Sequence, residues 1–187
     1  MSDELDMTAM YATHDALRRE CELLARATSR SGTDPVGLLR TALGWGLLKA
    51  VLRVHHRSED DALWPVLRQN LAGRPDDLAL LEAMEAEHAV IDHVIDAIDT
   101  VLAAPHAGSD LLGDLTDSLV TGLTGHLRRE EEQALPLIGE AVTAAQWARF
   151  VRIHAQRLVP ATPTRSTELE RHAYLHRWRT AGAALDS

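Results

Sequence analysis

The chain has 187 residues, of which 45% are hydrophobic and 25% charged, and a formal net charge of −9. That length closes one apolar core without disulfides or other staples, and the acidic balance disfavours nucleic acid and anionic membrane surfaces as partners. Cys21 stands alone, which excludes an intrachain disulfide, and no signal-type apolar stretch follows the acidic start Met1-Ser2-Asp3-Glu4, so the cytoplasm is the expected compartment.

Helical periodicity dominates the chain, and no segment alternates β-branched residues as a strand would. The first helix is expected over about Ser2–Ser29, with Met7, Met10, Tyr11, His14, Leu17, Cys21 and Leu24 at spacings of three and four. The second runs from Pro35, with Asp34 as its N-cap, to about Leu71. It contains the longest apolar run, Ala42 to Leu52, which is broken by Gly44, Gly46 and Lys49 and is too short to span a bilayer. A third helix is expected over about Asp76–Ala103 and a fourth from Ser109 or Asp110 to about Glu140. Short turns between long helices give an all-α, up-down-up-down four-helix bundle over residues 1–141. Residues 142–187 read as a C-terminal helical extension packed on the bundle. It holds one helix near Thr143–Leu158, a linker Pro160–Pro163 and another helix near Ser166–Ala184.

One pattern occurs twice. His55-His56-Arg57-Ser58-Glu59 is followed by Pro65, and His126-Leu127-Arg128-Arg129-Glu130 by Pro136, so both have a histidine, a glutamate four later and a proline ten later. Residues i and i+4 share a helix face, so each pair aims an imidazole and a carboxylate at one point. The prolines predict a kink in each helix. His14 and His88 lie on the other two helices. All these residues stand roughly 14 to 23 residues from the turn joining them to a neighbour, an axial mismatch of under about 8 Å at about 1.5 Å per residue. The six side chains can therefore meet at one level.

Shared with Leu52, Leu63, Leu123 and Leu127, the face that carries them is apolar, and burying these groups unpaired would be costly unless a metal took them. His56 and Asp60 form a further i, i+4 pair rotated by about 100°; because the repeat aligns His55, not His56, with His126, His56 is assigned to the outer layer or the surface. Four imidazoles and two carboxylates exceed what one zinc takes and suit iron or manganese. The ferritin-like design needs two Glu-x-x-His motifs, and only Glu85-Ala86-Glu87-His88 fits.

In order and spacing, His14, His55-x-x-x-Glu59, His88 and His126-x-x-x-Glu130 resemble the hemerythrin-like family of HHE cation-binding domains, over about residues 8 to 140. The stretch His55-His56 through Glu59-Asp60 to Leu63-Trp64-Pro65 is the most specific part. The resemblance implies a non-haem centre of two iron ions, with manganese or zinc less favoured. Glu59 and Glu130 would bridge the irons, and His14, His55, His88 and His126 would complete the coordination. Oxygen-carrying hemerythrins use a fifth histidine four residues along the third helix, where this chain has Asp92; His93 is turned away by about 140°. Their last carboxylate follows its histidine by five residues, here by four.

Fewer nitrogens and more carboxylate character tilt the expectation from oxygen storage toward reaction with oxygen, peroxide or nitric oxide, as a sensor or in catalase-like or peroxidase-like protection. The alternative is a di-iron oxidase or oxygenase acting on a small organic substrate, with Tyr11, one turn before His14, or the C-terminal extension shaping the pocket. A third reading is an iron-dependent interaction module whose fold is ordered by the metal. Trp45, Trp64, Trp147 and Phe150 read as packing residues, and His154, His172 and His176 are too scattered for a metal site. A monomer or a homodimer is expected.

Overall fold

Apolar residues at helical spacing produce helices throughout. In a computed structural model of the chain, which describes residues 5–28, 43–104 and 109–161, no strand occurs among the described residues. We number the elements α1 (Thr8–Thr28), α2 (Leu43–Ala62), α3 (Trp64–Asn70), α4 (Pro75–Ala103), α5 (Ser109–Arg129), a π-helical turn (Glu130–Ala134), α6 (Leu135–Ala141) and α7 (Ala144–Ala161). The expected Asp34 cap and Pro35 helix start, the turn at 105–108 and the helix near Ser166–Ala184 lie outside the described residues.

Four rods form an all-α bundle: α1, α2 with α3, α4, and α5 with the π turn and α6. Within it α1 packs along α5 and α5 along α4, while α7 packs along α2. Local chemistry sets the ends. Pro75 opens α4 with Asp76 and Asp77 in its first turn, where carboxylates favour the helix dipole. The preceding turn places Gly73 at φ +92°, a conformation that costs glycine least. At the start of α7 the Gln146 backbone N–H donates to Thr143 Oγ1 and the Thr143 N–H to Gln146 Oε1, a reciprocal capping box.

Both kinks exist, and they differ. Pro65 removes a backbone donor and ends α2 at Ala62, with Leu63 as the joint to α3. Pro136 is accommodated by the π turn, in which the Leu135 N–H bonds the Glu130 carbonyl five residues back.

The apolar core is in two pieces. One contains Leu17, Cys21, Trp45, Leu48, Leu52, Ile91, Ile95, Leu119 and Leu123. The other gathers Met10, Leu63, Trp64, Leu67, Leu81, Met84, Leu135, Ile138, Trp147 and Phe150. Each fully buried large side chain contributes roughly 1.5–3 kcal/mol. Along every rod the expected metal-binding residues fall between members of the two clusters: Met10, His14, Leu17 on α1, and Met84, His88, Ile91 on α4. The polar layer is thus sandwiched at mid-bundle. Trp45, Trp64, Trp147 and Phe150 are buried packing residues.

Candidate metal centre

The six residues read from the sequence, His14, His55, Glu59, His88, His126 and Glu130, come together with His56, and all seven are only 0–3% exposed. They fall into two groups able to hold an ion: His14, His55, Glu59 and Glu130, and His56, His88 and His126. Within each, one ligand atom per residue lies within 4.8 Å of every other.

The carboxylates connect the groups. Glu59 places Oε1 3.3 Å from His55 Nε2 and Oε2 3.5 Å from His88 Nε2. Glu130 Oε2 lies 3.3 Å from His14 Nε2 and 3.8 Å from His126 Nε2. The imidazoles pair in the same way, His14 Nε2 with His55 Nε2 at 3.2 Å and His88 Nε2 with His126 Nε2 at 3.1 Å. His56 stacks on His88, ring centroids 3.9 Å apart and 8° from parallel.

An outer layer fixes the rings. The Nδ1–H groups of three histidines donate to carboxylates: His14 to Glu131 at 2.8 Å, His88 to Asp60 at 2.8 Å and His126 to Glu87 at 3.0 Å. Arg18 holds Glu131 at 2.7 Å and Arg129 holds Glu87. A carboxylate on Nδ1–H sets the tautomer and leaves the Nε2 lone pair directed at a cation. The π turn begins at Glu130, and its bonding to the fifth residue back puts more residues in each turn and narrows the angle between neighbours; Glu130 faces the interior while Glu131 reaches His14 on α1.

Whether this donor set fits a metal is decided by its unsatisfied atoms. Both oxygens of Glu59, both oxygens of Glu130, both nitrogens of His56 and Nδ1 of His55 are buried without a hydrogen-bond partner. Buried groups left unsatisfied are rare and cost about 1–3 kcal/mol each. Cations between the two groups would satisfy most of them at once. The electrostatics agree: burial, then the neighbouring Glu130 charge, pushes the Glu59 carboxyl well above the usual carboxylate range. Burial opposes ionisation of Glu130 too, but His14, whose Nε2 lies 3.3 Å from Oε2, and the surrounding imidazoles outweigh it and hold its pKa low. The two carboxylates thus sit in opposed settings in the metal-free chain, Glu59 where charge is disfavoured and Glu130 where it is favoured. Burial holds His55 and His56 well below the ordinary histidine range, and lowers His126 as well. His14 is also pushed down by burial, but the adjoining Glu130 carboxylate and the hydrogen-bonded Glu131 override this and raise it.

Three sequence expectations need correction. His56 is not in the outer layer but 1% exposed, stacked among His88 and His126. Asp60, read as its partner, instead bonds His88 across the helix interface. Tyr11 does not point at the site: the inward register of α1 runs through Met10, His14 and Leu17, which leaves Tyr11 45% exposed. His93 is exposed, as expected of a residue turned from the site. His154, read as too scattered from the others for a metal site, joins neither ligand group, but its ring centroid lies 5.7 Å from that of His55; His172 and His176 lie outside the described residues.

The fold and this buried histidine–carboxylate layer define a cation-binding helical bundle. The family model of the hemerythrin HHE cation-binding domain matches residues 6–138, and the chain belongs to that family. No curated protein and no solved structure matches the chain. No helix among the described residues is long and apolar enough to cross a membrane.

Proposed function

We propose that the chain holds two iron ions and reacts with dioxygen, peroxide or nitric oxide. The observation that carries this reading is the orientation of Glu59, one oxygen toward each histidine group, with Oε2 of Glu130 lying between His14 and His126. Two carboxylates spanning two nitrogen clusters are a donor set for a pair of ions. His14, His55, Glu59 and Glu130 would hold one, and His88 and His126, with His56, the other, sharing the carboxylates. Bound there, iron supplies reversible one-electron change and open positions for a small oxidant or diatomic.

The chain's own residues do the rest. Glu131, Asp60 and Glu87 keep Nδ1 protonated on three histidines, so that Nε2 is the donor. A cation bound there would favour the charged form of Glu59, which burial and the Glu130 charge disfavour. The two apolar clusters above and below exclude bulk water, which strengthens every charge interaction between them.

A small reactant fits the cavity beside this layer, which is lined by Met10, Thr13, Trp147, Phe150 and His154 among others and measures about 30 Å³. The test is metal analysis of protein from iron-supplemented cells, then absorption spectra after adding oxygen, peroxide or nitric oxide to the reduced form. Two irons per chain and a new band with at least one of the three are expected. A chain carrying no iron, or carrying it without response to any of them, overturns the reading. A band that appears only with an added organic compound would transfer the assignment to an oxygenase.

A further inference from the structure

We propose that the cavity between α1 and α7 is the port through which a peroxide-sized polar molecule reaches the metal layer, with His154 as the positioning residue at its inner end. The inference rests on the reading above and adds a route and a residue to it. All seven candidate ligands are buried, so a reactant needs a path through the shell. The cavity supplies the outer part of one, as far as His154: α1 contributes Ala9, Met10 and Thr13, and α7 contributes Trp147, Phe150, Val151 and His154. Ala9 and Val151 are exposed, so its rim faces solvent. His154 both lines the cavity and lies edge-on to His55, its ring 81° to that ring. It is therefore the side chain that touches both the void and the ligand layer.

The polar groups at this contact are unspent. His154 Nε2 is buried without a partner, and so is Nδ1 of His55. The corresponding nitrogens of His14, His88 and His126 are each held by a carboxylate. His55 is the one histidine of the four whose outer nitrogen has been left without such an anchor, and it is the one beside His154. Buried atoms of this kind are usually satisfied by a small molecule of water size, and a cavity of about 30 Å³ holds one. Its walls are mostly apolar, and the Thr13 hydroxyl, which donates to the Ala9 carbonyl, keeps acceptor capacity. Such a lining passes a compact hydrogen-bonding molecule and excludes a larger one. One wall is α7, residues 144–161, beyond the 6–138 span of the family match, so the port is something this chain adds to the shared bundle.

The decisive experiment compares the wild type with Ala9→Trp and Val151→Trp, which plug the rim from exposed positions, and with His154→Leu and His154→Gln. Each is loaded with iron, assayed for metal content, reduced and mixed with hydrogen peroxide in a stopped-flow spectrometer. Unchanged metal content with a rate constant at least tenfold lower in both plugged variants and in His154→Leu, partly restored in His154→Gln, is the expected result. Wild-type rates in the plugged variants overturn the port, and loss of iron or an unrestored rate in His154→Gln overturns the positioning role. A second readout uses metal-free crystals under xenon. A xenon atom among Met10, Trp147 and Phe150 that vanishes in Ala9→Trp is expected, and an empty cavity in the wild type rejects the port. Failure of the wild type to bind iron or respond to peroxide would instead sink the functional reading, while the xenon result still judges the cavity.

Discussion

The two copies of the His-x-x-x-Glu pattern with its trailing proline begin alike and end differently. The first copy, on α2, supplies two adjacent histidines and Glu59, then kinks at Leu63 ahead of Pro65 while Leu63 keeps its helical bonds to Glu59 and Leu67. The second, on α5, supplies His126 and Glu130, then absorbs Pro136 in a π turn and reaches α1 through Glu131. One arm is richer in nitrogen and the other in carboxylate. Because each feeds both ligand groups, the asymmetry balances across the pair: the imidazole that α2 adds stands opposite the carboxylate support that α5 adds. Identical spacing in sequence therefore specifies where a donor sits, while the backbone around the proline specifies what its neighbours do.

The comparison can be broken most severely at the bridges. Glu130→Ala removes a carboxylate that touches both groups, and metal content should fall from two ions per chain to near zero by elemental analysis; His126→Ala should lose at least one. Retention of both ions in either variant would refute the shared site. Next in size is removal of the metal itself. A ligand at a hundred times its Kd stabilises by about 2.7 kcal/mol, and for a domain of this size each kcal/mol shifts Tm by about 2–4 °C. Chelation should thus lower Tm by roughly 5–10 °C.

The carboxylate support on the α5 side can be tested alone. Glu131→Gln weakens the hold on His14 Nδ1 and should reduce metal affinity about 10–100-fold in a competition titration, with stoichiometry kept. An affinity equal to wild type would show that the π turn's contribution is structural only.

The smallest effect concerns His56 on the α2 side. Burial depresses its pKa, so in the metal-free chain the unfolded state binds more protons below the ordinary value of about 6.5. The stability it contributes is full above that pH and is lost as pH falls toward its depressed folded value. His14 and Glu59, both raised, run the opposite way, so the difference between two chains is the clean measure. The loss of Tm between pH 7 and pH 5 should be shallower in metal-free His56→Leu than in metal-free wild type. Equal slopes would mean that His56 is solvated or already charged.

Much of this layer was legible in the sequence, because i, i+4 pairing and distance from the turns constrain which side chains can meet. The bundle followed from apolar periodicity for the same reason. His56 was misplaced because aligning the repeats matches His55 with His126 and gives His56 no counterpart. The signal lay in α2 alone: Leu52, His55, His56 and Glu59 are a complete inward set at i, i+3, i+4 and i+7. Tyr11 failed through a rotation of one residue, since Met10 holds the inward position. Asp60, Glu87 and Glu131 act across helix interfaces or through a π turn, and a count based on 3.6 residues per turn does not carry that information.

The division of the hydrophobic core into two clusters has a mechanical meaning. A bundle normally transmits unfolding along its whole length because its apolar packing is continuous, but here the seam between the blocks is a sheet of imidazoles and carboxylates. We predict that without metal this seam is the weakest plane among the described residues, and that amide exchange then shows a different protection for each block; equal protection in both would refute this. With metal, ions that tie all four rods together become the element through which one end of the bundle senses the other.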